Sequence, residues 1–262
     1  MPPASELGVT SPAAIAACQH VASELQRAGA TIVQIPSLRV PAVAVDEAAS
    51  GATEAFEQGH GISDREFGAL LLDFERDIEV YLRGRVPREA DGSTSDEPVP
   101  RTLADLIAFN CSHASEELAH FGQDIFELAR ARAQAISAQT HSENVAAIER
   151  RAIETLHGTM DHHRVDCLLA PTCGPAWPIA PKDDFCGGLC SALAAVAGGP
   201  LITLPSGTWR GLPLGVTLMG RRFSERVLLE VAAVVEARLP VATAPRFVAS
   251  IGDEVEGACE AP

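Results

Sequence analysis

Two hydrophobic rhythms alternate along the chain. In one, apolar residues return every three or four positions, the spacing of a helix with one buried face. In the other, apolar residues run unbroken for a few positions, the mark of a strand covered on both sides. The first rhythm opens at Ser11-Pro12, an N-cap followed by a first-turn proline, and carries Ile15, Cys18, Ala22 and Leu25 on one face until Gly29 stops it. Thr31–Ile35, a short β-rich run ended by Pro36, reads as a strand fed by that helix. Ala42–Gln58 reads as an Ala-rich helix weakened by Gly51. Ser63-Asp64-Arg65-Glu66 is a capping box opening an amphipathic helix, with Phe67, Leu70, Leu71, Phe74, Ile78, Tyr81 and Leu82 as its buried stripe and Gly84 at its end. Thr102 and Asp105 begin another, with Leu103, Leu106 and Ile107 inward, and a long helix from about Ser142 to His163 turns Val145, Ile148, Leu156 and Met160 inward.

The second rhythm begins at Val165–Ala170, and Leu201–Leu204 repeats it after a short small-residue segment at Ser191–Ala197. Leu214–Met219 is expected to pair antiparallel with Leu201–Leu204 across a turn containing Gly207 and Gly211. Ser224-Glu225 caps a last helix limited by Pro240. Leu168–Ala170 and Leu201–Leu204 are too apolar for open edges, so each is expected to have strand neighbours on both sides. These elements predict an α/β fold, a mixed β-sheet covered by helices with a largely helical insert from about Ala42 to His163. The polar stretch 84–100 reads as a flexible connection and 248–262 as a loose acidic tail. No internal repeat is present.

Composition narrows the class. Hydrophobic residues make up 47% and charged residues 21%, ample for a core and unlike a disordered chain. A formal charge of −15 without any basic run argues against nucleic-acid or anionic-membrane partners. No stretch reaches the ~18 uninterrupted apolar residues of a membrane span, and MPPASELGVT lacks the basic and apolar regions of a secretory leader. Cys18, Cys111, Cys167, Cys173, Cys186, Cys190 and Cys259 form an odd, scattered set that suits a reduced compartment, so the cytoplasm is expected.

Candidate chemistry is sparse. His157, His162, His163 and Cys167 are the tightest group of metal-ligand types, but a five-residue step between His157 and His162 misses one helical face. No metal is expected there. Cys173, Cys186 and Cys190 come with Gly174, Gly187 and Gly188, yet none of the eight histidines lies between Cys173 and Cys190 to serve as base. Buried thiols against glycine turns are the plainer reading. His113, Glu116, Glu117 and His120 read as a solvated or locally paired helix face. Pro171, Pro175, Pro178 and Pro181 exclude a helix after the strand at Ala170 and make a rigid loop, placed where open α/β sheets line their ligand sites.

Three stretches carry a family resemblance: RTLADLIAFNCSHASEELAHFGQDIFELA (Arg101–Ala129), DCLLAPTCGPAWPI (Asp166–Ile179) and LITLPSGTWRGLPLGVTLMGRRFSERVLLEVAAVVE (Leu201–Glu236). From Ser63 to Glu236 the chain resembles the C-terminal half of amidase-signature enzymes, with FNCSHASEELAHFGQDIF and APTCGPAWP most similar to bacterial amidases of the peptide-amidase type. The resemblance implies one domain portion over 1–262, carboxamide C–N hydrolysis and no cofactor. It also implies a substrate-pocket rim at Thr172, Gly174, Trp177, Phe185, Gly187 and Gly188.

That family cuts amides with a neutral lysine, a serine after a cis peptide and a nucleophilic serine, in a Gly/Ser-rich region upstream of these stretches. The chain holds one lysine, Lys182, which the adjacent Asp183-Asp184 would keep charged. Its nearest Gly/Ser run, Gly92-Ser93-Thr94-Ser95, sits in a polar connection without a flanking apolar element. No catalytic residue is therefore assigned, and the chain alone is expected to be inactive. A small amide or peptide-amide is a substrate only if an N-terminal half completes the cleft, and an exposed strip of sheet would favour self-association. A non-catalytic binding or scaffolding domain is the alternative expectation.

Overall fold

The computed structural model describes residues 1–38, 64–85, 99–177 and 190–239. Its centre is a sheet of three strands, β1 (Leu168–Pro171), β2 (Leu201–Trp209) and β3 (Leu212–Met219), in the order β1-β3-β2 and antiparallel throughout. The pairing of Leu201–Leu204 with Leu214–Met219 is as expected, with Ile202 opposite Leu218 and Leu204 opposite Val216. The expected double neighbours are not found: among the described residues, β1 and β2 each pair with β3 alone. Leu168, Leu169 and Ala170 are nevertheless 1%, 5% and 0% exposed, because helices cover the two faces of β1. Apolar runs report covered faces, whereas edges are a matter of backbone pairing.

The hairpin turn also differs from expectation. Arg210 and Gly211 both have positive φ (50° and 76°), the combination a two-residue type I′ turn requires. Gly207 lies inside β2 instead, at a register shift between Pro205 and Gly207, with φ of 127° that favours glycine.

Strand alternation sends side chains to two cores. On one face Leu169, Leu204, Val216 and Leu218 meet Cys18, Val21 and Leu25 of α1 (Pro12–Arg27) and Leu228, Ala232 and Val235 of α8 (Glu225–Arg238). On the other, Leu168, Ala170 and Met219 meet Leu156 and Met160 of α6 (Ala138–His163) and Ala194 and Ala197 of α7 (Ala192–Ala197). Helix α1 starts as predicted, the Ser11 hydroxyl accepting from the Ala14 amide. It stops on Gly29 (φ 100°), with Ala30 N–H bonded to Leu25 O and Gly29 N–H to Gln26 O. The run Thr31–Ile35 is not a ladder strand. Among the described residues its sheet-like bonds go to the first residue alone, the Met1 amine to Val33 O and the Ile35 amide to Met1 O, and one residue is too short a partner to propagate pairing.

A third core holds the helical insert. Phe67 and Leu71 of α2 (Asp64–Gly84), Leu103 of α3 (Leu103–Ser112) and Ala129 of α5 (Asp124–Ala135) close on one another, with a one-turn helix α4 (Ala114–Glu117) between α3 and α5. The predicted stripe of α2 is wider than its contact: Leu70 and Tyr81 are 49% and 57% exposed. Tyr81 is instead covered by Arg85, which donates to its hydroxyl at 2.8 Å. Thr102 and Asp105 begin α3 as expected, and the structure shows that they do so as a reciprocal cap.

Helix α6 begins at Ala138 behind an Ser137 cap, four residues before the expected start. Its first turns lean on α2 through His141 Nε2 and Asp73 Oδ1 at 2.9 Å, which leaves Val145 turned outward. Ser224 does not cap α8, because its hydroxyl donates to Arg221 O at 2.7 Å. Among the described residues no helix is long and apolar enough to cross a membrane. The expected Ala42–Gln58 helix, the Ser63 cap, the Gly92–Ser95 run, Lys182, Pro240 and the acidic tail lie outside the described residues.

Candidate functional site

The chain leaves β1 at Pro171, and the next residue is tied on both sides. The Thr172 amide donates to Gly215 O at 3.0 Å, and its carbonyl accepts from the Cys190 amide at 3.0 Å. Its hydroxyl lies 2.8 Å from that of Thr217, which lies 3.0 Å from that of Thr203. Thr203 and Thr217 face each other across β2 and β3, and the Cys190 thiol also hydrogen-bonds Thr217. Thr172, Thr217 and Thr203 thus form a row across the sheet, with Thr217 buried at its centre, where the Cys190 thiol joins it, and Thr203 exposed at its end. Glycine at 215 makes the row fit: a Cβ there would lie 2.9 Å from Thr172 Oγ1 and 3.3 Å from Thr203 Cγ2.

Of the residues expected at the rim, Thr172, Gly174 and Trp177 follow β1 in one segment, with Gly174 buried and Trp177 43% exposed. Phe185, Gly187 and Gly188 lie outside the described residues, as does Cys186. Thr203, Thr217 and Cys190 were not legible as neighbours of Thr172. The signal is a lone threonine in each of the apolar runs Leu201–Leu204 and Leu214–Met219, and that becomes meaningful only once register is known.

Three of the thiols are in the wrong state for attack. Burial pushes Cys18 up to about 12 and Cys167 up to about 11, and it raises Cys190 against the lowering hydrogen bond from Thr217. All three stay protonated near neutral pH; of the thiols expected to be buried against glycine turns, Cys190 is buried, Cys173 is half-buried and Cys186 lies outside the described residues. His113, Glu116, Glu117 and His120 are exposed, and His113 is spent locally, stacked on Phe109 with ring centroids 4.2 Å apart and Nδ1 3.0 Å from Phe109 O.

His162 and His163 meet edge to face, 4.8 Å between centroids. Among the described residues no group of three or more His, Cys, Asp or Glu side chains gathers as metal donors. His157 is held below its ordinary value of 6.5, first by burial and then by the nearby Arg221, with Asp161 opposing. The folded protein therefore binds fewer protons at His157 than the unfolded chain. Its share of stability is intact above pH 6.5 and declines as the pH falls below that value. His157→Gln is expected to flatten the loss of thermal midpoint between about pH 6.5 and 5, read by melting curves across that range. An unchanged slope would contradict it.

Comparison with known proteins places this architecture. The chain is 27% identical over 233 residues to a Probable amidase of Arabidopsis thaliana, an alignment covering 88% of the chain and 37% of that protein. Its fold is similar to native peptide amidase from Stenotrophomonas maltophilia, with TM-score 0.65 and 32% identity over 88% of the chain and 41% of the other. Peptide amidase in complex with the competitive inhibitor chymostatin gives TM-score 0.67 at 32% identity, with the same coverage. The chain spans about two fifths of the length of these relatives. The sequence model of the amidase family matches residues 5–229. That match takes in every described strand, the loop after β1 and the threonine row, and the chain belongs to the amidase family.

Proposed function

We propose that residues 1–262 are the C-terminal part of an amidase-signature domain that hydrolyses carboxamide C–N bonds, and that alone they turn over no amide. A serine hydroxyl attacks a carbonyl only when a base within hydrogen-bond reach takes its proton and aligned N–H groups receive the oxyanion. The observation that carries the reading is the lysine count. The chain has one lysine, followed by two aspartates, and no Gly-Ser-Ser-Gly-Gly-like run. The raised thiols of Cys18, Cys167 and Cys190 offer no substitute nucleophile.

What the chain contributes is the rim: Thr172, Gly174 and Trp177 after β1, with Phe185, Gly187 and Gly188. The 32% identity to peptide amidase supports a short peptide amide as substrate class. The free cysteines among the described residues support a reducing compartment, the cytoplasm. The edges of β1 and β2, unpaired among the described residues, are where a complementary part or a second copy would attach.

The test is ammonia release from short peptide amides by the purified chain. The expected result is none above the buffer rate. Turnover by the chain alone would overturn the reading.

A further inference from the structure

Thr217 is not itself one of the expected rim residues and is nine-tenths buried or more, yet its hydroxyl lies against that of Thr172, which is. A threonine hydroxyl gives one hydrogen bond and receives two. Thr217 has three partners: Thr172 at 2.8 Å, Thr203 at 3.0 Å and the Cys190 thiol. Its capacity is therefore full, with nothing left for a ligand. Thr172 differs. Its amide and carbonyl are committed to Gly215 and Cys190, and its half-buried side chain has one bond among the described residues, to Thr217. Among the described residues no second partner takes the remaining valence of the Thr172 hydroxyl.

We infer that Thr217 is a positioning residue that holds the Thr172 hydroxyl in place for a hydrogen bond to the carboxamide group of a bound amide. The inference rests on the rim assignment of Thr172 proposed above. Three features of the row serve this one purpose. Gly215 leaves the space through which the Thr172 hydroxyl reaches Thr217, since a Cβ would stand 2.9 Å from it. The Cys190 amide fixes the Thr172 carbonyl at 3.0 Å, and its thiol hydrogen-bonds Thr217.

The exposed end at Thr203 lets the row run in either direction, because water can complete either role there. Thr172 can therefore give a proton to the amide oxygen or receive one from the amide nitrogen. A carboxamide presents both, side by side. A carboxylate product presents only acceptors.

The test is an NMR titration of the full chain with N-acetyl-leucinamide, run on the wild type, Thr217→Val, Thr217→Ser, Thr172→Val and the double variant Thr172→Val/Thr217→Val. Valine keeps the shape and removes the hydroxyl. The expected result is about five- to tenfold weaker binding for each valine variant, the size of one lost hydrogen bond. Binding should recover in Thr217→Ser, and the double variant should bind no worse than Thr172→Val alone.

Equal binding by wild type and Thr217→Val overturns the positioning role and leaves the rim standing. Additive losses in the double variant overturn it as well, since Thr217 would then act independently of Thr172. Absence of binding by the wild type overturns the rim assignment and the inference with it.

Discussion

Replacing Gly199 with alanine is expected to destabilise the fold by about 3 kcal/mol, lowering the thermal midpoint by about 6–12 °C. The reason is a backbone contact. A Cβ at 199 would lie 2.5 Å from the Gly220 carbonyl oxygen and 3.2 Å from Leu156 Cδ2. Neither side can yield cheaply. Gly199 is fixed by its amide bond to Ala194 O at 2.8 Å, which finishes α7, and Gly220 by its amide bond to Pro200 O at 3.0 Å. Leu156 is fully buried in the core beneath both. Relief must break a hydrogen bond or lift β2 away from the end of β3. Gly158 is the control, since a Cβ there meets nothing within 4 Å and the residue lies inside α6. Gly158→Ala is expected to stabilise by about 0.5–1 kcal/mol through helix propensity. Chemical denaturation of both variants checks the pair, and equal effects would refute the contact argument.

The second large effect concerns turnover. Co-production with the part of Stenotrophomonas maltophilia peptide amidase outside the match is expected to raise amide hydrolysis on the order of 10³-fold or more above either piece alone. Enzymatic acceleration of this size needs a base, a nucleophile and an oxyanion site held together, and a rim without them gains nothing from binding amide more tightly. On the proposed rim role of Thr172, Thr172→Val in the complemented pair is expected to raise KM about tenfold with kcat little changed. Steady-state kinetics with a short peptide amide separate the two parameters. A rise in turnover carried by a Cys190→Ala-sensitive step would instead place the nucleophile in this chain.

How much of this was readable beforehand follows the range of the physics involved. Local chemistry read correctly: Ser11 before Pro12 caps α1, and Thr102 with Asp105 begins α3, because both depend on residues within one turn. Periodicity marked the helices but overstated their buried faces. Leu70, Tyr81 and Val145 fit the stripe and still face outward, since the pattern cannot say how wide the partner surface is. Gly207 and Gly211 were assigned to the turn on composition, while the positive φ at Arg210 and Gly211 keeps Gly211 in it and starts the turn three residues after Gly207. The loop after β1 was legible from its prolines. Its junction with Thr217 and Cys190 was not, because Thr172 meets Thr217 over 45 residues of sequence and only the β1-β3-β2 order brings them together.

The central claim is that these residues hold no activated nucleophile, and a serine-directed fluorophosphonate reads that property without any choice of substrate. The reagent reacts with hydroxyls whose proton a neighbouring base has taken, and ordinary surface serines and threonines are inert to it. Intact-mass and peptide analysis of the folded chain after exposure should show no adduct, with any label in the complemented pair falling on the complementary part. A stoichiometric adduct on a serine or threonine of this chain, lost on unfolding, would contradict the account.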